Sequence, residues 1–511
     1  MKLYYGSLNG NDSDNSSNVP LGHDDCTVEE LSRTNEEYGK DILSLAIPAL
    51  AGLAIDPLMT LVDTAFVGRC ANEDSAQLAG MGSAAALLTF SFYIFNFLCT
   101  ATTPLVSQAR AKLDECKAVM VGGQALSLAG LLGVTLTGVL VVFHEPLLQI
   151  MGTSYTGEEA NSYATSFLLV RAFSAPAIFV CSAATGILRG YLDTKTAIAV
   201  LAVANTVNLS LDVLLIAGLG MGPAGAAIAT TTAEWMSAIL YLLILGGKLP
   251  SIDGYLGSNQ KPEISSNDRD IIRIFPTVNI PQWAEMKPLV VASSSVFLRT
   301  VVLQLFLSGA ASMAARGYSD ESSASSVAAH QIAIQLWLLC SFACDALAAA
   351  SQTLVADSLG KDDEVATRKI SGTVFTYSLS LGILLSIALV GGTMSGALLD
   401  AFTNDPSIQA ALQPILYLII LAQPINSLVF AADGVLQGAS EFTYQAKTMW
   451  ISVGIATLSF FTFQYNNISQ MQILFGSNTL EHVWESMIVL QLCRGITSYI
   501  KIRDKRGPIK L

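Results

Sequence analysis

Charged side chains are scarce in this chain: Asp, Glu, Lys and Arg together make up 13% of its 511 residues. Soluble domains carry about twice that fraction. Hydrophobic residues, by contrast, reach 52%, and the mean hydropathy is +0.52. That is enough apolar sequence for roughly a dozen bilayer crossings of about 20 residues each. The composition excludes a soluble globular protein and predicts an all-α integral membrane protein with twelve transmembrane helices.

Patterns that would indicate metal, redox or hydrolytic chemistry are missing as well. The eight cysteines contain no CxxC pair, so we expect them to pack as small apolar side chains. The sequence has no HExxH, GxSxG or phosphate-binding glycine loop, and its net charge of −13 disfavours nucleic acid as a partner. We therefore expect no enzymatic activity, no cofactor, no structural metal and no nucleic-acid binding.

Twelve apolar runs between polar breaks define the expected spans. Residues 1–40 precede them and are rich in Asn, Asp, Ser and Glu, which predicts a disordered cytoplasmic tail. The runs lie near 41–68, 77–108, 118–143, 161–188, 196–218, 224–246, 288–315, 326–356, 370–400, 410–436, 448–464 and 479–500. The last run is the weakest, because His482 and Glu485 interrupt it.

Basic residues are distributed unevenly between the loops. If both chain ends lie on one side, 23 of the 27 lysines and arginines fall in segments on that side, Arg494 among them in the C-terminal segment. Only Arg69 and Arg316 fall on the other side, and Arg171 and Arg299 fall within spans. Because positive residues next to spans stay in the cytoplasm, both termini are predicted to be cytoplasmic.

The two halves of the chain share a pattern. The spacing P-x9-G-x-L-x-G begins at Pro176 in span 4 and again at Pro424 in span 10, a shift of 248 residues. Each half has an even number of spans, so the halves form two six-helix lobes related by a pseudo-two-fold axis along the membrane normal, an arrangement typical of secondary transporters. The predicted parts are the N-lobe 41–246, a cytoplasmic linker 247–287, the C-lobe 288–500 and a cytoplasmic C-tail 501–511.

Besides Glu485 of the last run, six acidic residues lie well inside the predicted spans: Asp56, Asp63, Asp212, Glu234, Asp345 and Asp433. A carboxylate at mid-membrane costs about 3 kcal/mol, so it usually faces an aqueous cavity or a partner. Asp56 and Asp63 are two helical turns apart, and Asn208 lies one turn before Asp212. Such a cluster can bind H⁺ or Na⁺. A structural role also stays open, in which the acids neutralise Arg171 and Arg299 or, for Glu234, form a helix-packing surface.

Several segments resemble one transporter family. The sequence IDPLMTLVDTAFVGR at 55–69 is similar to the signature of the multidrug and toxic-compound extrusion (MATE) family, in its DinF-like branch. LVSQARAK at 105–112, AAHQIA at 328–333 and ADGVLQGASE at 432–441 follow in the family's order. The resemblance covers roughly residues 40–500 and is strongest to plant and algal members. It implies two six-helix lobes around a central cleft that opens alternately to either side.

The resemblance also implies site residues. It carries the family's coupling aspartate to Asp63, the Asn/Asp pair of span 5 to Asn208 and Asp212, and the C-lobe carboxylate to Asp433. Asp56 joins the ion-coupling candidates because it shares a face with Asp63, whereas Cys181 replaces a family polar position. We further assign Asp345 and Gln331 to the C-lobe polar site, and expect Na⁺, if used, at Asp63 and Asp212 or at Asp433. Arg171, Arg299 and Glu234 are candidate substrate contacts.

The expected function is secondary active efflux, an antiport of H⁺ or Na⁺ against a small organic substrate. The span arginines favour an organic anion such as a phenolic acid, and the excess of acids favours an organic cation or xenobiotic, so both classes stay open. A lipid flippase of the same superfamily is the alternative. We expect a monomeric, multi-pass protein in the bilayer of the plasma membrane or of an organelle, plastid or vacuole.

Overall fold

The computed structural model describes residues 34–70, 75–95, 97–150, 158–252, 273–276, 283–314, 320–403, 405–465, 479–504, 507 and 509. These residues form helices and no strand. In chain order the helices are α1 (Asn35–Cys70), α2 (Ser75–Ile94), α3 (Phe97–Ala111), α4 (Glu115–Val142), α5 (His144–Ile150), α6 (Glu158–Ala172), α7 (Ala175–Gly190), α8 (Thr194–Asp212), a π-helix (Val213–Gly218), α9 (Gly222–Leu245), α10 (Trp283–Ala314), α11 (Asp320–Gly360), α12 (Glu364–Met394), α13 (Ala397–Phe402), α14 (Pro406–Gly438), α15 (Phe442–Tyr465) and α16 (Thr479–Ile502).

The helices confirm the predicted membrane architecture. Within the described residues, ten helical segments are long and apolar enough to cross a bilayer, and the bent pair α6 and α7 makes an eleventh. The α16 helix completes the twelve, although it carries the polar residues that weaken the last apolar run. Each predicted span corresponds to one helix or to two consecutive helices.

One predicted span is sharply bent. The run 161–188 divides into α6 and α7, whose axes differ by 46°. The break has a local cause, because Pro176 lies in the first turn of α7 and has no backbone N–H to continue the preceding helix. The Ser174 hydroxyl donates to the Arg171 carbonyl at 2.7 Å and so satisfies a freed acceptor at the end of α6.

The duplication recurs in the helix contacts. Gly186 of α7 faces Cys99 of α3, and Gly434 of α14 faces Ala348 of α11. A Cβ atom on Gly186 or Gly434 would lie only 2.9 or 2.3 Å from the opposing carbonyl oxygen, so both helix pairs need glycine to approach this closely. The paired positions differ by 248 and 249 residues, the shifts seen in the sequence. The two lobes therefore repeat one packing scheme.

The turns after α3 and α11 repeat as well. Leu113 and Asp362, 249 positions apart, adopt left-handed backbone angles with φ of 57° and 56°. The next residue in each turn, Asp114 or Asp363, caps the following helix by accepting a backbone N–H with its carboxylate. Equivalent turns with the same strained geometry support a common origin of the halves.

Two clusters of buried apolar residues join the lobes. One packs Leu289 and Val296 of α10 against α3, α4 and α7 of the N-lobe. The other packs Tyr38 and Ile42 of α1 against α11, α12 and α14 of the C-lobe, and also contains Ile509 from the C-terminal segment. These contacts define the closed end of the bundle, which holds the start of α1 and the end of α16.

The large clusters near the other end each belong to one lobe. Leu140 and Ile216 lie in an N-lobe cluster, and Ala314 and Trp484 lie in a C-lobe cluster. Among the described residues no apolar cluster crosses between the lobes there. We call the space between the two lobes, on the far side of the closed end, the cleft.

The placement of Arg494 in the cytoplasmic C-terminal segment was wrong. It lies inside α16, is 7% exposed and forms an ion pair with Asp433. The carboxylate neutralises the guanidinium, which allows a basic residue at this depth. Helix α1 also begins at Asn35, six residues before the expected start of span 1.

Candidate functional site

The N-lobe candidates centre on α8. Asn208 and Asp212 lie one turn apart on this helix and are 2% and 0% exposed. Helix α8 packs against α1, which carries Asp56 and Asp63. The side chains of Asp56 and Asp63 lie outside the described set, so their distance from Asp212 stays a prediction. The helix pairing places the two predicted acid-bearing segments side by side.

Asp212 also stands at a change in helix type. The α-helix ends at this residue, and the π-helix Val213–Gly218 continues the span. Single π-helical turns often occur at functional sites, because they shift the side chains that follow relative to those before. The sequence reasoning missed this element, because the apolar run that follows Asp212 is typical of an ordinary α-helix.

Arg171 and Glu234 contact each other inside the N-lobe. The Arg171 Nη1 atom lies 2.5 Å from Glu234 Oε2, and the guanidinium carbon lies 5.8 Å from the centre of the Phe92 ring. The Cys181 thiol donates to the Glu234 carbonyl at 3.8 Å. Two of the candidate substrate contacts thus neutralise each other, as in the structural role that the sequence left open.

Asp433 is the centre of a polar network in the C-lobe. Its carboxylate pairs with Arg299 of α10 and, at 2.5 Å, with Arg494 of α16. The Gln445 amide of α15 donates to both the carbonyl and the carboxylate of Asp433 at 3.1 Å. Arg494 in turn donates to Gln491 at 2.7 Å. Four helices therefore meet at one buried carboxylate that holds two guanidinium groups.

Sequence reasoning missed Arg494, Gln445 and Gln491 as members of this network. A signal for Arg494 existed, because it lies directly after the apolar core 486–493 of the last span. A lone arginine at the end of a span is usually a cytoplasmic flank, however, and only the position of α14 beside α16 identifies Asp433 as its partner.

Asp345 and Gln331 lie on a common face of α11. They are 14 residues apart, with Leu338 midway, and all three side chains are exposed although their neighbours along the helix include buried residues. Four charges act on the Asp345 carboxylate: those of Arg189, Arg299, Asp433 and Arg494. Gln352, two turns further along the same face of α11, donates to the Thr100 carbonyl of α3, so this face is turned toward the N-lobe and the cleft.

Polar contacts between the lobes seal the closed end. The Gln352 amide of α11 donates to the Thr100 carbonyl of α3 at 2.6 Å, two turns from Asp345. Further along, Arg110 of α3 pairs with Asp357 of α11, and Lys361 binds the same carboxylate at 3.0 Å. The lobes are thus joined by hydrogen bonds and by an ion pair as well as by apolar packing.

Tyr191 supports this seal from the turn after α7. Arg110 donates to the Tyr191 carbonyl at 3.3 Å, and the Tyr191 hydroxyl donates to Glu115 at 3.0 Å. Burial and the neighbouring Glu115 carboxylate raise the pKa of Tyr191. The phenol therefore stays a neutral donor at physiological pH and helps to orient Arg110 toward Asp357.

Comparison with protein families identifies the family of this chain. The MatE family model matches residues 48–214 and 292–461, one stretch in each lobe. The chain belongs to the MATE family. This confirms the resemblance, and it makes the protein a multi-pass membrane transporter.

Individual MATE relatives support the predicted resemblance to plant and DinF-like members of the family. Protein DETOXIFICATION 45, chloroplastic, of Arabidopsis thaliana is 28% identical over 522 aligned residues, which cover 96% of this chain and 85% of the relative. DNA damage-inducible protein F of Escherichia coli is 25% identical, with 90% of each chain covered. A crystal structure of a MATE protein in the bent conformation superimposes with a TM-score of 0.74 at 19% identity, covering 91% of this chain and 95% of the other. This likeness confirms the two-lobed twelve-helix fold.

Proposed function

We propose that this MATE protein is an antiporter that exports a small organic substrate in exchange for H⁺, with Na⁺ as the second candidate ion. One observation carries the proposal: in the described part of the chain, apolar packing, a hydrogen bond and an ion pair join the two lobes at the end that holds the start of α1, and acidic residues lie on helices of both lobes. A cleft that is closed at one end is one state of an alternating-access cycle. Buried carboxylates supply the groups that couple the cycle to an ion gradient.

We place the coupling ion in the N-lobe, at Asp212 with Asn208 and at Asp63 on the adjacent α1. Asp433 is a poorer candidate for either ion, because Arg299 and Arg494 already bind its carboxylate and their charges repel a cation. Asp56 is a second N-lobe candidate. In this account the C-lobe network serves to hold α10, α14 and α16 together.

We favour organic cations over organic anions as the substrate class. The argument for an anion came from Arg171 and Arg299, and both are paired with acids. Counting Arg494 and Glu485 of α16, the spans hold three arginines against seven acids. The same balance disfavours the flippase alternative, because a lipid phosphate requires a basic cavity.

We propose further that the closed end is the cytoplasmic end and that the protein resides in a plastid membrane as a monomer. Tyr38 near the start of α1 and Ile509 near the chain end share one cluster, so both ends lie on the same side. Even with Arg494 in the membrane, 22 of 27 basic residues fall on that side. The chloroplastic relatives favour the plastid. Detection of either terminal tag from the opposite side of the membrane would reject the orientation.

Transport by purified protein in liposomes tests the function. Vesicles should take up a fluorescent organic cation such as ethidium when a pH gradient is imposed, with protons moving in the opposite direction. A sodium gradient alone and a labelled aromatic carboxylate form the other arms and decide the ion and the substrate class. Flux no greater than in protein-free vesicles, for both substrates under both gradients, would overturn the antiporter proposal.

A further inference from the structure

Arg189 is a charged residue that belongs neither to the N-lobe coupling candidates nor to the C-lobe network. It is the penultimate residue of α7, it is half-buried, and its Nη1 atom lies 3.6 Å from the Cys99 sulfur of α3. Among the ion pairs of the described residues none involves Arg189. Its charge therefore lacks the compensation by a carboxylate that Arg110, Arg171, Arg299 and Arg494 receive.

Asp345 is an acid of the other lobe that lies near Arg189. Gln352, two turns from Asp345 on the same face of α11, donates to the Thr100 carbonyl, and Arg189 contacts the neighbouring residue, Cys99. Arg189 is the N-lobe member of the charged groups around Asp345. The remaining groups, Arg299 and Arg494 with Asp433 between them, form the C-lobe network. Among the ion pairs of the described residues there is no contact between Arg189 and Asp345, and the two opposite charges belong to different lobes.

The duplication shows that the fold itself does not require these two charges. At the shift of 248, Arg189 corresponds to Gln437, and at the shift of 249, Asp345 corresponds to Asn96. The close-packed glycine beside Arg189, Gly190, has its counterpart in Gly438. Both lobes thus keep the same close helix packing. Arg189 occurs only in the N-lobe and Asp345 only in the C-lobe, so one charge lies on each side of the cleft.

We propose that Arg189 is a positioning residue for transport, which attracts Asp345 across the cleft and holds the closed end shut until a positive charge binds to Asp345. A proton or the cationic group of a substrate would neutralise the carboxylate and remove the attraction. The lobes are then free to separate at the closed end. The inference rests on the proposed alternating access, and it assigns to the C-lobe a charge-sensing step that is separate from the N-lobe coupling site.

The expected size of the effect is that of one interaction between two charges. Attraction between two unit charges in a partly buried site changes an equilibrium by roughly tenfold. We therefore expect loss of either charge to shift the ratio of closed to open molecules by about that factor. The shift is smaller than for breaking the whole seal, because Gln352 and the Arg110 pair with Asp357 remain.

A distance measurement between the lobes tests the inference without requiring transport. Spin labels are attached by Lys117→Cys in the N-lobe and Arg368→Cys in the C-lobe, both exposed near the closed end, after the other accessible cysteines have been replaced by serine. In lipid nanodiscs, acidification should lengthen the distance in the otherwise unchanged protein. Asp345→Asn and Arg189→Gln should each give the long distance at every pH, and the double variant should equal either single one.

Two further variants separate a charge effect from a structural one. Arg189→Lys should retain the pH-dependent distance change, since it keeps the charge. Arg110→Gln removes a different inter-lobe guanidinium, so it should lower the closed fraction at all pH values and leave the pH dependence intact. An unchanged pH response in Arg189→Gln, or additive shifts in the double variant, would overturn the inference. Failure of the liposome assay would instead reject the antiporter and leave this result standing.

Discussion

Replacing Asp212 by asparagine is expected to abolish gradient-driven exchange and to leave a folded, membrane-inserted protein. The side chain is fully buried beside Asn208 at the junction of α8 and the π-helix, and asparagine has nearly the same volume. An amide cannot take up and release a proton, and a coupled carrier needs a group that does so. Flux of the variant in liposomes should fall to the level of protein-free vesicles, with an unchanged elution profile in size-exclusion chromatography.

Asp63→Asn is expected to have the same effect, because Asp63 lies on α1, which packs against α8. If the two acids share one coupling event, the double variant costs no more than either single change. Asn208→Ala should only shift the pH optimum. Asn205→Ala is the matched control, since Asn205 is an amide on the same helix that donates to the Leu201 carbonyl at 2.8 Å. Additive losses from Asp63→Asn and Asp212→Asn would show two independent sites.

Replacing Asp433 by asparagine is expected to destabilise the protein far more than it affects coupling. The change leaves Arg299 and Arg494 buried together without a counter-charge, and loss of one partner of a buried ion pair costs about 3–5 kcal/mol. Thermal unfolding in detergent should show a large drop in melting temperature.

A second substitution distinguishes this structural role from a coupling role. Combining Asp433→Asn with Arg494→Gln removes the excess charge, so it should recover most of the lost stability and the folded yield. Gln445 and Gln491 can still supply hydrogen bonds to the amides. A normal melting temperature together with complete loss of transport in Asp433→Asn would contradict the structural role and would make Asp433 a coupling carboxylate.

The architecture could be predicted because it depends on local sequence. Apolar runs of sufficient length define the spans, and the repeat at Pro176 and Pro424 marks equivalent helices in the two lobes. Glycine is required at Gly186 and Gly434, because a larger side chain would prevent the close helix contacts that both lobes share. These features lie within one helix or between corresponding helix pairs.

The charge pairs could not be predicted, because each joins residues that are distant in sequence. Arg171 and Glu234 are 63 residues apart, and Asp433 and Arg494 are 61 apart, so many other pairings were equally compatible with the spans. Arg189 looked like a cytoplasmic flank of span 4, and its influence on Asp345 depends on how the two lobes face each other. The π-helix after Asp212 likewise has no marker in the sequence.

The proposed transport cycle requires a cleft that opens to one side of the membrane at a time. Leu338 lies on the cleft-facing side of α11, midway between Gln331 and Asp345, and is 40% exposed. The measurement is the reaction of Leu338→Cys with a membrane-impermeant thiol reagent applied from either side of oriented vesicles, at rest and under an imposed pH gradient. We predict reaction from the side opposite the chain termini at rest, and reaction from the side of the termini once the gradient drives turnover. Simultaneous reaction from both sides, or access that stays on one side whatever the gradient, would contradict alternating access.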